Sequence, residues 1–268
     1  MIVFIPLGNG SKIDNWELRY MLRSLHKNLK CDYKIIICGN KDYKPSWLTA
    51  VEYYEIDRFF PSLSGKLQHK SFENYFDTLN KLKCLIGRCD DEKIAYMCDD
   101  QILLQPLEDL SVFEGVALYP HHPNKRTDLS KHEQTVQQAL DLAATVKTGT
   151  LYNGETHLPR IYETNKLKQM FDTYKIETFP PYAPYTLYLN LFYDKPKTIL
   201  EEGNVLKAGF TFEGDGIGSY IAIKAREIEE AAKDKLILNY NDKGLNAVFN
   251  LLKKWIESKF PEKSVFEL

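Results

Sequence analysis

The sequence lacks the features that would place it in a membrane or a secretory pathway. No stretch approaches the roughly 20 apolar residues that a membrane-spanning helix needs. Residues 1–6 contain no basic segment and only four apolar residues between Met1 and Pro6, so we expect no signal peptide. None of the five cysteines forms a Cys-x-x-Cys pair, which argues against a zinc site and favours reduced thiols in the core. We therefore expect a cytoplasmic protein.

The chain also has little net charge. Its 35 Lys and Arg residues nearly balance its 37 Asp and Glu residues, which gives a formal charge of −2. A protein that coats the phosphate backbone of nucleic acids is expected to be strongly basic. The balance argues against general nucleic-acid binding, although it leaves room for a local basic patch.

Apolar and aromatic residues are plentiful. Hydrophobic residues make up 44% of the 268 residues, which is enough for a sizeable core. The chain contains no internal repeat, low-complexity tract or clear linker, so we predict one domain over residues 1–268 with halves at 1–107 and 108–268. The 17 tyrosines suit either ring-lined clefts or a loop-rich surface.

Apolar runs alternate with amphipathic segments in the first half. Strands are predicted at residues 2–7, 34–38, 51–56 and 93–98, and helices after Asp14-Asn15 and at 72–86. This rhythm predicts an α/β fold with a mostly parallel, doubly wound sheet. The second half is less regular. Its predicted elements are strands at 116–119, 159–162 and 235–238, helices at 133–146, 164–174, part of 217–233 and 248–258, and a rigid turn at Pro180, Pro181 and Pro184.

Three turns that follow predicted strands should line one crevice. Ligands of doubly wound sheets bind beyond the carboxyl ends of the strands. Gly8–Gly10, Gly39-Asn40 and Asp99-Asp100 all stand at such ends. We expect Gly8 and Asn9 to contact a bound ligand there.

The adjacent carboxylates Asp99 and Asp100 are the sharpest chemical signal. They would repel each other unless a cation or hydrogen-bond donors share the site. Carboxylate oxygens suit Mg²⁺ or Mn²⁺, and such an ion would bridge the phosphates of a nucleotide. The alternative is an Asp-rich turn that only caps the next segment.

Other basic and amide groups are candidates for phosphate contacts. Arg19 and Arg23 are four residues apart and share a helix face, where they could clamp phosphates bidentately. The alternative is a solvated face. Lys70 and Asn74, near the start of the helix at 72–86, could also meet the ligand.

His157 and Asp242 are candidates for acid–base chemistry. His157 lies in the run Glu155-Thr-His-Leu-Pro159, where a nearby carboxylate could support it as a general base toward a hydroxyl group. The alternative is a structural histidine. Asp242 adds a further carboxylate after the predicted last strand.

Several segments together resemble the Stealth family of sugar-1-phosphate transferases. Residues 15–25, 34–38 and 45–48 are similar to the family's second conserved region, and Tyr96-Met-Cys-Asp-Asp100 resembles its Tyr-x-Asn-Asp-Asp. Residues 155–159 are similar to its Pro-His-x-Pro-His segment. Residues 238–242 and 260–267 resemble its final Leu-Asn-Asp and Pro-x-x-Ser-x-Phe-Glu blocks. Cys98 departs from the family's Asn, and the family's opening Asp before a Tyr-Thr-Trp strand is missing here.

The chain also resembles a looser set of phage and bacterial glycosyltransferase-like proteins. Both resemblances imply a GT-A-like nucleotide-sugar fold, with a donor-binding half at 1–107 and an acceptor-side half at 108–268. They imply that Asp99 and Asp100 hold Mg²⁺ or Mn²⁺ and the diphosphate. By the same resemblance Arg19 and Arg23 contact the donor, His157 lies on the acceptor side, and Asp242 is a further active-site carboxylate.

The resemblance implies transfer of a sugar, or a sugar phosphate, from a nucleotide sugar such as a UDP-sugar to an acceptor hydroxyl. One alternative is a Stealth-type hexose-1-phosphate transferase that releases UMP. A second alternative is a phage-type enzyme that glycosylates a modified base in DNA, and a third is a non-catalytic protein that binds nucleotide sugars or glycans.

Overall fold

Strands and helices alternate through the first half of the chain. The computed structural model describes residues 1–8, 13–56, 72–89, 92–121, 128–174, 180–198, 204–208, 225–240 and 247–268. Its first elements are β1 (Ile2–Pro6), α1 (Trp16–Asn28), β2 (Lys34–Gly39), β3 (Glu52–Glu55), α2 (Glu73–Ile86), β4 (Lys93–Tyr96) and β5 (Gln101–Leu103). The predicted strands and helices of this half are confirmed to within two residues at each end, and β5 is an addition.

The second half contains shorter strands between its helices. These elements are β6 (Val116–Ala117), β7 (Tyr119–Pro120), α3 (Lys131–Ala144), β8 (Tyr152–Asn153), β9 (Arg160–Glu163), α4 (Thr164–Thr173), α5 (Pro184–Phe192), β10 (Lys197–Thr198), β11 (Val205–Ala208), α6 (Ala225–Ala232), β12 (Ile237–Tyr240) and α7 (Ala247–Lys259). The four predicted helices of this half are confirmed, with α3 beginning two residues early. Its start is fixed by a capping box between Ser130 and Glu133.

Helix α5 corrects the sequence-based prediction of a rigid turn that reaches Pro184. Pro184 is instead the first residue of this helix, a position where the missing N–H of proline costs nothing. Residues 184–190 are all buried, so the helix shows no polar face. A helix that is apolar all round gives no amphipathic pattern to read from sequence.

The central sheet has the strand order β3-β2-β1-β4-β9. The first four strands are parallel, and β9 pairs antiparallel with β4. Phe4 of β1 lies between Ile36 of β2 and Tyr96 of β4, so these strands end at the same edge. The prediction of a mostly parallel α/β sheet is confirmed.

Successive residues of the central strands enter two different cores. In β1, Ile2 and Phe4 pack on one face of the sheet, while Val3 and Ile5 pack on the other. The first face is covered by buried residues of α2, α3, α4 and α5, and the second by those of α1. Near-continuous apolar strands are the expected consequence of a sheet buried on both faces.

A second sheet, of order β11-β12-β5, joins the first through the turn between β4 and β5. Strand β5 pairs antiparallel with β12, and buried polar side chains of α1 occupy its other edge. There Leu103 N–H donates to Ser24 Oγ (2.9 Å), and Asn28 Nδ2 donates to the Leu103 carbonyl (2.6 Å). A third core forms between this sheet, α6, α7 and Trp16. Within the described ranges, no helix combines the length and the apolar character needed to cross a membrane.

Candidate functional site

Asp99 and Asp100 are the two central residues of a turn at the carboxyl end of β4. The Gln101 N–H donates to the Cys98 carbonyl at 3.2 Å, which is the bond that closes a β-turn. We call residues 98–101 the acidic turn. Both carboxylates are partly exposed, and the neighbouring β1 ends at the same sheet edge. The predicted position at the carboxyl end of a parallel strand is confirmed.

Strand β12 fixes one side of the acidic turn. Asn239 Nδ2 donates to Asp100 Oδ1 at 3.0 Å, and the Tyr240 N–H donates to the Asp100 carbonyl at 3.2 Å. A neutral amide therefore orients the Asp100 carboxylate without cancelling its charge. A carboxylate oriented in this way suits a cation as a ligand.

The segment that contains His157 lies on the other side of the acidic turn. Gln101 Nε2 donates to the His157 carbonyl at 2.7 Å, and His157 itself is exposed. The structure thus brings together the predicted metal-binding pair and the predicted acceptor-side histidine, which are more than 50 residues apart in sequence.

An ion pair between two mostly buried side chains supports the segment that contains His157. Arg160 Nη2 lies 2.9 Å from Glu155 Oε2 and donates to the Thr156 carbonyl at 3.2 Å. The Arg160 guanidinium also lies over the Tyr96 ring, 5.4 Å from its centroid. Burial lowers the pKa of Arg160, but electrostatic interactions, chiefly with Glu155 and Tyr96, raise it by more than burial lowers it. The pKa of Arg160 therefore lies above its usual value. Arg160 is therefore a permanent cation at the end of β4.

Cys98 is a poor candidate for a metal ligand or nucleophile. Burial raises the pKa of its thiol to about 12, and the adjacent Asp100 adds to the effect. At neutral pH the thiol stays protonated, whereas metal binding and nucleophilic attack need the thiolate. The carboxylate oxygens of Asp99 and Asp100 are therefore the candidate ligand atoms of this turn.

A buried ion pair on α2, next to the end of β1, was not predicted from the sequence. Lys81 Nζ lies 2.6 Å from Asp77 Oδ2 and donates to the Leu7 carbonyl at 2.8 Å. Both residues are less than 10% exposed, and Asp77 Oδ1 has no hydrogen-bond partner among the described residues. The available signal was an i, i+4 charge pair next to an apolar stripe, which is easily taken for a solvated face.

Arg19 and Arg23 belong to a different cluster from the acidic turn. Arg23 forms two hydrogen bonds to the Glu267 carboxylate, of 2.7 and 2.8 Å, and a third to the Phe260 carbonyl at 3.0 Å. Arg19 lies over the Trp47 ring, 4.6 Å from its centroid, and 3.8 Å from Glu267. Arg23 is thus engaged with the C-terminal segment, and donor contact by either arginine stays a prediction.

The remaining predicted residues lie at the sheet edge or outside the described ranges. Gly8 is exposed just after β1, and Asn74 is exposed in the first turn of α2. Asn9, Lys70 and Asp242 fall in parts of the chain that the structure does not describe. Their roles stay predictions.

The donor atoms of the acidic turn fit a magnesium or manganese ion that is shared with a substrate. Mg²⁺ is commonly held by one or two carboxylates plus substrate phosphates and water. Asp99 and Asp100 supply that number. Among the described residues no group of three or more His, Cys, Asp or Glu side chains forms a closed metal site. An ion here would take its other ligands from the substrate, from water or from residues outside the described ranges.

The segments that resemble Stealth regions meet in two places. Segments 15–25, 45–48 and 260–267 meet around Glu267. Residues 96–101 are hydrogen-bonded to segment 155–159 through Gln101 and to segment 238–240 through Asp100. In comparisons with known proteins, no family model matches this chain and no curated protein matches it.

Proposed function

We propose that this chain transfers a sugar or a sugar phosphate from a nucleotide-sugar donor to an acceptor hydroxyl group, and that its sheet is of the GT-A-like nucleotide-sugar class. The observation that supports it most is the acidic turn. Two like charges stand at the carboxyl edge of a parallel sheet, where ligands of such folds bind, and the amide of Asn239 donates to one of them. The segment that contains the exposed His157 is hydrogen-bonded to the same turn.

In this proposal Asp99 and Asp100 hold Mg²⁺ or Mn²⁺ together with the donor diphosphate. The ion, when bound, offsets the negative charge that develops on the leaving phosphate. Asn239 keeps the Asp100 carboxylate in a fixed orientation, so little reorganisation accompanies binding. Arg160, which is paired with Glu155, supports the segment that contains His157 near the same strand end.

His157 is the group that we assign to the acceptor. Its imidazole takes the proton from the acceptor hydroxyl as the oxygen attacks. If the oxygen attacks the anomeric carbon, the sugar–phosphate bond breaks and a nucleoside diphosphate leaves. If it attacks the sugar-linked phosphorus, the diphosphate linkage breaks and a nucleoside monophosphate leaves.

The test is a panel of nucleotide sugars and candidate acceptors with Mn²⁺, analysed by mass spectrometry of the nucleotide product. UDP identifies glycosyl transfer, and UMP identifies sugar-phosphate transfer. We expect Asp99→Asn and Asp100→Asn each to lower kcat/KM by about 100-fold or more. The matched control is Asp172→Asn, which changes an exposed carboxylate on α4.

Two results would overturn the proposal. The first is the absence of turnover with every donor, and donor binding without turnover would identify a binding protein instead. The second is turnover that Asp99→Asn and Asp100→Asn leave at the level of Asp172→Asn.

A further inference from the structure

Gln101 connects the acidic turn to the segment that contains His157. Its side chain is buried, with 3% of the residue exposed. Oε1 accepts a hydrogen bond from the Cys98 N–H at 2.9 Å, and Nε2 donates to the His157 carbonyl at 2.7 Å. The two ends of one planar amide therefore fix the separation between the two segments.

The first of these bonds is not needed to form the turn. The backbone of Gln101 already closes it, through its N–H and the Cys98 carbonyl. The side chain adds an attachment from the turn to a segment that is distant in sequence. An apolar side chain of the same length would fill the space, but it would leave the partly buried Cys98 N–H and the His157 carbonyl without this partner.

Two consecutive backbone carbonyls of the segment that contains His157 accept hydrogen bonds from side chains. Arg160 donates to the Thr156 carbonyl, and Gln101 of the acidic turn donates to the His157 carbonyl. His157 itself is exposed. Its imidazole is carried by a backbone that these hydrogen bonds hold in place, so a shift of the backbone would move the ring.

We propose that Gln101 is a positioning residue that sets the distance between the donor-binding carboxylates and the His157 imidazole. This inference rests on the proposed function, since it assigns the two segments to the two substrates. Displacement of a catalytic group by about 1 Å can cost about 100-fold in rate. Gln101 would prevent such a displacement.

The variant that tests this is Gln101→Met, which keeps the length of the side chain and removes both hydrogen bonds. Its matched control is Gln105→Met, which removes one hydrogen bond from Gln105 to the Lys233 carbonyl beyond β5. We expect Gln101→Met to lower kcat by about 10- to 100-fold and to change the KM for the donor by no more than about twofold. Gln105→Met should change neither.

A double-mutant cycle separates positioning from a general loss of structure. If Gln101 acts through His157, then Gln101→Met should have almost no further effect on kcat in a His157→Ala background. An equal loss in both backgrounds would show that Gln101 acts independently of His157, and it would overturn the inference.

A second measurement needs no turnover. In amide hydrogen exchange, Gln101→Met should speed exchange at Thr156 and Leu158 by about tenfold, while Gln105→Met leaves it unchanged. Unchanged exchange in Gln101→Met would overturn the positioning role. Faster exchange in Gln101→Met, together with no turnover of any donor by the wild type, would contradict the proposed function and still support the link between the two segments.

Discussion

The C-terminal cluster and the acidic turn both contain charged residues that contact distant parts of the chain. In the first the charges are paired with opposite charges, and in the second two like charges lie side by side. In the C-terminal cluster, which we define as Arg19, Arg23, Trp47 and Glu267, a carboxylate that is 3% exposed is matched by a guanidinium. In the acidic turn, two carboxylates of like charge are partly exposed, and the Asp100 carboxylate accepts a hydrogen bond from the neutral amide of Asn239.

Under the proposed function, this difference separates a structural cluster from a binding site. A neutralised pair such as Arg23 and Glu267 has its hydrogen-bonding groups satisfied within the protein, so it fastens the C-terminal segment to α1. In the acidic turn, the neutral amide of Asn239 orients the Asp100 carboxylate without neutralising it. An oriented carboxylate is a suitable ligand for a divalent cation, and the cation would in turn bind a diphosphate.

The largest effect on stability should come from breaking the C-terminal cluster. Glu267→Gln leaves the Arg23 cation without its counter-charge, and we expect the free energy of unfolding to fall by about 3 kcal/mol. Urea denaturation measures it. Glu262→Gln, an exposed change in the same segment, should cost under about 0.5 kcal/mol, and equal losses in the two variants would contradict the structural role.

The same cluster should give a pH dependence. Burial raises the pKa of Glu267, but the hydrogen bonds from Arg23 and Ser264 outweigh burial and lower it below its usual value. The stability from this group is fully present above the unfolded pKa of about 4.3, and it is lost as the pH falls through the lower folded pKa. The difference in unfolding free energy between wild type and Glu267→Gln should therefore shrink below about pH 4. A constant difference down to about pH 3 would contradict this assignment.

The acidic turn should respond to metal. At about 100 times its dissociation constant, Mn²⁺ should raise the free energy of unfolding by about 2.7 kcal/mol. Asp100→Asn should abolish this gain, while its own stability without metal changes by less than about 1 kcal/mol, because Asn keeps an acceptor for Asn239. Thermal unfolding with and without Mn²⁺ measures both. A gain of the same size in Asp100→Asn would place the ion elsewhere.

The smallest effect should come from the neutral donor that orients Asp100. Asn239→Ala removes one hydrogen bond to the carboxylate, and we expect the Mn²⁺ affinity to fall by about fivefold. The control is Asn165→Ala at an exposed position of α4. Calorimetric titration compares the two, and unchanged affinity in Asn239→Ala would show that this hydrogen bond does not organise the turn.

Local sequence patterns were sufficient for the central sheet and for the place of the acidic turn. A strand buried on both faces must be apolar along its length, so β1, β2 and β4 stand out, and polar residues that follow such a strand mark the ligand-binding edge. The amino-acid sequence alone was therefore enough to place Asp99 and Asp100 at that edge.

Residues whose role depends on long-range contacts could not be placed in this way. Gln101 follows a predicted strand, and its link to His157 spans 56 positions, which no local pattern encodes. The sequence suggests that Arg23 binds a phosphate. In the structure its guanidinium is instead hydrogen-bonded to Glu267, at the other end of the chain. Asp77 and Lys81 have the spacing of an ordinary surface ion pair on a helix. That spacing does not reveal that this face of α2 is buried.

The most direct test of the central claim is calorimetric titration of a UDP-sugar into the wild type and into the Asp99→Asn, Asp100→Asn double variant, each with and without Mn²⁺. We expect the wild type to bind the donor with Mn²⁺ at least about tenfold more tightly than without it, and the double variant to show no such dependence. Equal affinity of the two proteins for the donor with Mn²⁺, or no binding by the wild type, would contradict the assignment of the acidic turn as a metal and diphosphate site.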